Sequence, residues 1–385
     1  MPTIHPLAQE LNQKIAACHP AALDFFSEIG RALYFPSKGI LAQSAEAKEK
    51  AKKFNATIGI ATSGPEPLVL PSLAKYFQGV TKAEIFNYAP SFGFPALRQA
   101  WKERLASVNP LLQGKTFSLP LVTSGITHGL SLVSDLFCGE EDLLLIPDQL
   151  WEYRLIYEVR KKTTVELFPF FEGKGFNFTG LEKILSGLVG KRKKVMILLN
   201  FPNNPTGYSL TKTEAPRMAE LLERYAARGL KTLVILDDAY TGLFFDEEVE
   251  GESLFPRLAN LHENLLAVKL DGMTKEYFAW GFRVGFMTYG IKGGTPELYT
   301  AFENKTAGAI RGSVSNASAP AQSLSLRALK DPAITGEAKA NFEILKARAL
   351  KTRAVLAAGK YDSVFTAYPF NSGYFMLIRL KELSA

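Results

Sequence analysis

Cysteine is nearly absent from this chain. Only Cys18 and Cys138 occur in 385 residues, with no CxxC spacing and no metal-type neighbour. That speaks against a disulfide framework or a zinc site. Histidine is almost as scarce, and His5, His19, His128 and His262 are scattered, so no histidine-based metal centre is expected. No stretch reaches the ~18 consecutive apolar residues of a membrane-spanning helix. The N-terminus, MPTIHPLAQELNQKIAACHP, lacks the basic start and apolar run of a secretory signal. A soluble cytoplasmic protein is therefore expected. Charge of one sign does not dominate either, with a net +7 over 385 residues. Basic clusters at Lys48, Lys50, Lys52 and Lys53, and at Lys191–Lys194, are short. They do not make the clustered basic face that nucleic-acid binding needs, so no nucleic-acid partner is expected.

What is present is ordinary globular composition, 47% hydrophobic and 22% charged, in a chain long enough for a large core and a smaller one. Residues 1–60 are mostly helical in pattern, and the Gly/Pro-rich TSGPEPLVLP reads as a crossing loop. Then short apolar runs alternate with amphipathic segments: LPLVTSG, DLLLIPD, TTVELFPF, KVMILLN, KTLVILDD, NLLAVKLDG and RVGFMTYG. Such runs suggest strands buried on both faces of a largely parallel α/β sheet. After residue 318 the pattern turns helical again and ends in one strand-like run, SGYFMLIRL. The expected partition is a large α/β domain over 61–318, with a smaller domain built from residues 1–60 and 319–385.

In open α/β sheets, ligands sit beyond the carboxyl ends of the strands. There the sequence is chemically unusual. KVMILLN leads into Phe201-Pro202-Asn203-Asn204-Pro205-Thr206-Gly207, a rigid non-helical turn, or simply a strand-to-helix loop. KTLVILDD ends in Asp237-Asp238-Ala239-Tyr240. An acid ending an apolar strand needs a cationic partner, unless it serves as a helix cap. NLLAVKLDG runs into Lys275, with Arg283 eight residues on; either could be an ordinary surface side chain. The loop Ser124-Gly125-Ile126-Thr127-His128-Gly129 opens a helix, where free N–H groups suit a phosphate.

Taken together, Asn-Pro-Thr-Gly, Asp-x-Ala-Tyr and Lys with Arg eight residues later resemble the fold-type I pyridoxal-5′-phosphate (PLP) enzymes. Within them the chain resembles the class I/II aminotransferases, the aspartate aminotransferase superfamily. The resemblance implies a seven-stranded, mostly parallel sheet flanked by helices and a smaller α+β domain. It implies PLP as cofactor, attached as an imine to Lys275, and a ping-pong transfer of an amino group from an amino acid to a 2-oxo acid. Lys275 would then shuttle the proton. Asp237 would keep the pyridine nitrogen protonated. Tyr240 and Asn204 would bond the phenolic O3′, and Arg283 would clamp the phosphate with Gly125, Ile126 and Thr127. Trp151 matches the aromatic ring stacked on the cofactor. Tyr88 matches a tyrosine reaching the neighbouring subunit's phosphate, which implies a homodimer with shared active sites. Gly59 falls near the substrate-lining segment. Arg311 falls where dicarboxylate-specific members supply an arginine across the interface.

The match has departures. Gly272 stands where relatives usually carry serine, and His128 stands at a glutamine position, read here as a helix-start residue and not a base. Relatives place the α-carboxylate-binding arginine beyond a strand like SGYFMLIRL, and Arg379 lies too early to match. Either the chain is truncated at Ala385 or a different residue binds the carboxylate, and truncation is the expectation. Two other readings stand beside transamination: another PLP reaction such as a C–S β-lyase or decarboxylase, and a non-catalytic PLP-binding regulator.

Overall fold

The computed structural model of the protein describes residues 4–35, 40–53, 55, 57, 59–64 and 66–381. All seven internal apolar runs become strands of one sheet: β1 (Leu121–Thr123), β2 (Leu143–Pro147), β3 (Thr164–Phe168), β4 (Lys194–Asn200), β5 (Lys231–Asp237), β6 (Leu265–Gly272) and β7 (Gly285–Ile291). Their order is β1-β7-β6-β5-β4-β2-β3. Only β7 runs against its neighbours β6 and β1; the other pairings are parallel. The expected mostly parallel α/β sheet is what forms.

Strands covered on both faces must be apolar at nearly every position. In β4, Val195, Ile197 and Leu199 enter one core, and Met196 and Leu198 enter the other. β5 repeats the alternation with Val234 and Leu236 against Leu233 and Ile235. Helices α1 (Pro95–Val108), α2 (Ile126–Phe137), α3 (Phe178–Leu188), α4 (Glu214–Ala227) and α5 (Pro296–Ser313) cover the sheet. Trp101, Leu181 and Leu222 bring α1, α3 and α4 to the first core; Leu130 and Ile310 bring α2 and α5 to the second. Each such leucine contributes about 1.5–3 kcal/mol relative to exposure.

After the sheet come α6 (Ala319–Lys330) and α7 (Pro332–Ala357), then a hairpin of β8 (Phe365–Ala367) and β9 (Ile378–Leu380). Asp331 caps α7 by accepting the Ala333 N–H at 2.8 Å. The final apolar run is less of a strand than expected: Ser372 makes one isolated antiparallel bridge to Phe244, and Ile378–Leu380 pairs with β8. The backbone N–H groups before it are committed elsewhere. Asn371 and Ser372 donate to the Gly207 carbonyl, and Gly373 donates to that of Leu243.

The crossing loop is pinned to α7. Arg348 donates to the Thr62 carbonyl at 2.7 Å and Asn341 to that of Val69 at 3.1 Å. Glu337 accepts from the backbone and hydroxyl of Ser72. Further upstream, Glu28 pairs with Lys162 at 2.9 Å, next to β3. That part of the N-terminal stretch thus meets the segment leading into β3. None of the described helices is long and apolar enough to cross a membrane.

Candidate active site

Strand register brings the chemically unusual ends to one level. Asn200 lies opposite Asp237, and Asp237 opposite Leu270. Beyond them, the ends of β4 and β5, the turn after β6 and the start of α2 enclose a cleft of about 90 Å³. Asp237, Tyr240, Asn204, Trp151, Ile126, Thr127 and Lys275 all line it.

Asp237 closes β5 and is only 6% exposed. One carboxylate oxygen accepts the Tyr153 hydroxyl at 2.6 Å and the other the Ala239 N–H at 3.2 Å. Burial pushes its pKa up, while Tyr153, the Lys275 amine and the Ala239 N–H pull it back. Among its described hydrogen bonds none comes from a cation. Its remaining lone pairs suit a cationic nitrogen placed in the cleft.

Lys275 sits in a single helical turn, Met273–Glu276, directly after β6. Its amine lies 5.1 Å from the centre of the Tyr240 ring. Burial lowers its pKa; Asp237 opposes the shift and Arg283 adds to it. A lysine shifted this way carries more neutral, nucleophilic amine near pH 7. Burial raises the Tyr240 hydroxyl, so it stays protonated and able to donate. Asn204 donates to that hydroxyl at 3.3 Å. The loop holding Asn204 is fixed by Asn200, which accepts the Asn204 N–H at 2.7 Å and donates to the Asp237 carbonyl at 2.6 Å.

At the start of α2, Gly125 has φ +79° and ψ 172°, and no side chain caps the helix. That backbone region belongs essentially to glycine. The first-turn amides are left available to an anion. The Arg283 guanidinium lies against this turn, and a Cβ at Gly125 would fall 2.4 Å from its Nη2. An uncapped helix start beside a guanidinium is a cradle of the right charge for a phosphate.

The two departures have structural reasons. A side chain at Gly272 would put Cβ 2.6 Å from the Val284 carbonyl and 2.7 Å from the Gly285 Cα, so β7 leaves no room for serine. His128 accepts the Ser124 N–H through Nδ1 at 3.1 Å and meets the Ser313 hydroxyl through Nε2 at 3.1 Å. It braces the loop to α5, and burial lowers its pKa, favouring the neutral ring that this bonding needs.

Three expected residues are not in this cleft. Tyr88 is 90% exposed. Gly59 is exposed, with nothing within 4 Å of a built Cβ. Arg311 is exposed and donates to the Ser315 hydroxyl at 2.7 Å. Three others were missed from sequence: Tyr153, Asn200 and Tyr374, whose hydroxyl donates to the Lys275 carbonyl at 3.0 Å. Asn200 had a signal, being the polar end of an apolar strand. Tyr153 and Tyr374 had none beyond lying near residues already singled out.

A sequence profile described as "Aminotransferase class I and II" matches residues 52–385. The chain is 29% identical to the probable aspartate/prephenate aminotransferase of Aquifex aeolicus, over 76% of this chain and 68% of that protein. It is 27% identical to the aspartate aminotransferase of a Bacillus species, over 64% of this chain and 59% of that protein. Thus the matched part spans about three fifths to two thirds of these relatives' lengths. The crystal structure of an aminotransferase from Anaerococcus prevotii superposes with a TM-score of 0.76 at 26% identity, covering 88% of this chain and 83% of that one. A Thermus thermophilus aspartate aminotransferase mutant, complexed with tryptophan, shares the fold at 20% identity and a TM-score of 0.70; the match covers 92% of this chain and 84% of that one.

Proposed function

This chain belongs to the class I and II aminotransferases, and from that membership we propose that it moves an amino group from an amino acid to a 2-oxo acid in two alternating half-reactions, with PLP carried on Lys275. The family is PLP-dependent, and the donor set of the cleft fits that cofactor. The observation that carries the reading is the meeting of a lysine shifted toward its neutral amine with a buried carboxylate, in one cleft at adjacent strand ends.

PLP, when bound, supplies an electron sink for the charge left at the substrate Cα. The chain's own residues do the rest. Asp237 holds the proton on the ring nitrogen, and Tyr153 orients its carboxylate. Tyr240 and Asn204 donate to O3′. The first-turn amides of α2 and Arg283 hold the phosphate, and Trp151 covers the ring face. Lys275 takes the proton from the substrate Cα and returns it at C4′. Tyr374 anchors the turn that carries Lys275 through its carbonyl.

Tyr88, Phe86 and Phe77 are each exposed, and in this reading a second copy covers them. Tyr88 then reaches the second copy's phosphate site, and Arg311 its substrate. With relatives named for aspartate, Arg311 supports an acidic amino acid as one substrate. The two unpaired cysteines, Cys18 and Cys138, agree with a cytoplasmic setting.

Borohydride reduction of the PLP-loaded protein followed by peptide mass mapping tests the attachment. The mass of the reduced cofactor is expected on Lys275, and its appearance on another lysine contradicts the reading. Gly125→Ala tests the phosphate cradle. Its Cβ collides with Arg283, and its backbone strain costs about 1–3 kcal/mol. PLP affinity measured by titration should fall at least about 10-fold, whereas affinity for unphosphorylated pyridoxal should hardly change.

A further inference from the structure

Lys269 lies in the middle of β6 and is 1% exposed. Lysine is almost never buried this deeply unless paired. Its amine is bonded to Asp238 and lies 3.4 Å from Asp271, both themselves buried. Asp238 also accepts the Ser253 hydroxyl at 2.5 Å. Asp271 accepts the Trp101 indole N–H at 3.0 Å. The Arg104 guanidinium lies 5.0 Å from the Trp101 ring centre, and its field reaches Asp271. Arg104 is in turn paired with Glu276 and donates to the Tyr277 hydroxyl at 2.6 Å.

These contacts form a line of five alternating charges: Asp238, Lys269, Asp271, Arg104, Glu276. Its two ends are the residues that directly follow Asp237 and Lys275. Stability alone does not account for such a line, because well-packed neutral side chains replace a buried ion pair at little or no cost in stability. A use that buried ion pairs serve in some proteins is to fix one geometry between elements.

We propose that this line of charges is a positioning device, with Lys269 at its buried centre, that fixes the Lys275 amine against the Asp237 carboxylate. The inference rests on the reading of those two residues as the working pair. None of the five side chains lines the cleft. Lys269 and Asp238 tie the adjacent ends of β5 and β6, and Asp271, Trp101 and Arg104 carry the constraint around to the turn that bears Lys275.

The test replaces charge while keeping packing. In Lys269→Met/Asp238→Asn/Asp271→Asn the buried lysine and both carboxylates it pairs with lose their charge together, so no buried charge is left without its partner. This variant is expected to keep the wild-type denaturation midpoint and to bind PLP. Its kcat is expected to fall about 100-fold, the effect of a misplacement on the order of 1 Å, with KM within about threefold of wild type. The cofactor-free protein should capture PLP at least about tenfold more slowly, and the visible circular dichroism of the bound cofactor should change. Normal stability together with a kcat and capture rate within about threefold of wild type overturns the proposal, leaving the line as packing only.

Should the buried triple variant fail to fold, Arg104→Met/Glu276→Gln cuts the same line at its partly exposed end, where the same kinetic outcomes decide. If the wild-type protein itself neither captures PLP nor transaminates, the underlying reading fails instead, and the two failures are told apart.

Discussion

Replacing Lys275 with alanine should lower kcat for transamination by at least about 10⁴-fold, since in the proposed mechanism one side chain is both attachment point and proton carrier. The loss should not be a loss of the fold. Asp237, Arg283 and the start of α2 remain, so PLP should still bind, non-covalently, and its borohydride-stable attachment should vanish. KM should change far less than kcat, because the amine acts on the reacting atoms and not on the rest of the substrate. A second signature is thermodynamic. In the folded, cofactor-free protein the Lys275 pKa is lowered from the ordinary 10.5. Between that lowered value and 10.5 the unfolded chain binds more protons than the folded one, so wild-type stability rises with pH across this window. The alanine variant lacks that contribution. Denaturation midpoints measured against pH should therefore show the variant gaining on wild type as pH falls through the window.

Asp237→Asn should be the next largest effect, about 10²–10³-fold in kcat, as expected when one preorganised charge at the reacting group is removed. The amide keeps the shape and can still accept from Tyr153, but it cannot hold a proton on the ring nitrogen as a carboxylate does. Stability should move the other way. Burial raises the Asp237 pKa above 3.8. The favourable, protonated state is fully present below 3.8 and is lost as pH rises through the raised value. Near neutral pH the cofactor-free asparagine variant should therefore be more stable than wild type. Adding PLP should reverse this, because only the wild type gains a carboxylate–pyridinium pair. Melting temperatures with and without PLP check both signs, and equal stabilisation of the two proteins by PLP would rule out the assigned role of Asp237.

The sheet was legible because its strands are buried on both faces, which forces unbroken apolar runs such as VMILL in β4. The end of β5 was legible because a polar residue such as Asp237 is costly there unless used, and the turn holding Asn204 was legible from its prolines and glycine. SGYFMLIRL misled for a related reason: hydrophobicity marks burial but not whether a backbone has a strand partner, and residues 371–373 bond to loops. Tyr153 and Lys269 were invisible for another reason. Tyr153 meets Asp237 across 84 residues of sequence. Lys269 reads as a stray charge in NLLAVKLDG until the pairing of β5 with β6 brings Asp238 beside it. Gly272 looked like a lost hydroxyl, and only the approach of β7 reveals it as a steric requirement.

The most direct test of the central claim is a single half-reaction. PLP-loaded protein is mixed with excess aspartate and no oxo acid, and both the cofactor spectrum and the released product are followed. The account predicts one equivalent of 2-oxo acid per subunit and conversion of the cofactor to its pyridoxamine form, reversed on adding 2-oxoglutarate and absent in Lys275→Ala. Release of the substrate's carboxyl carbon as CO₂ with no oxo acid, or an equal yield from Lys275→Ala, would contradict it.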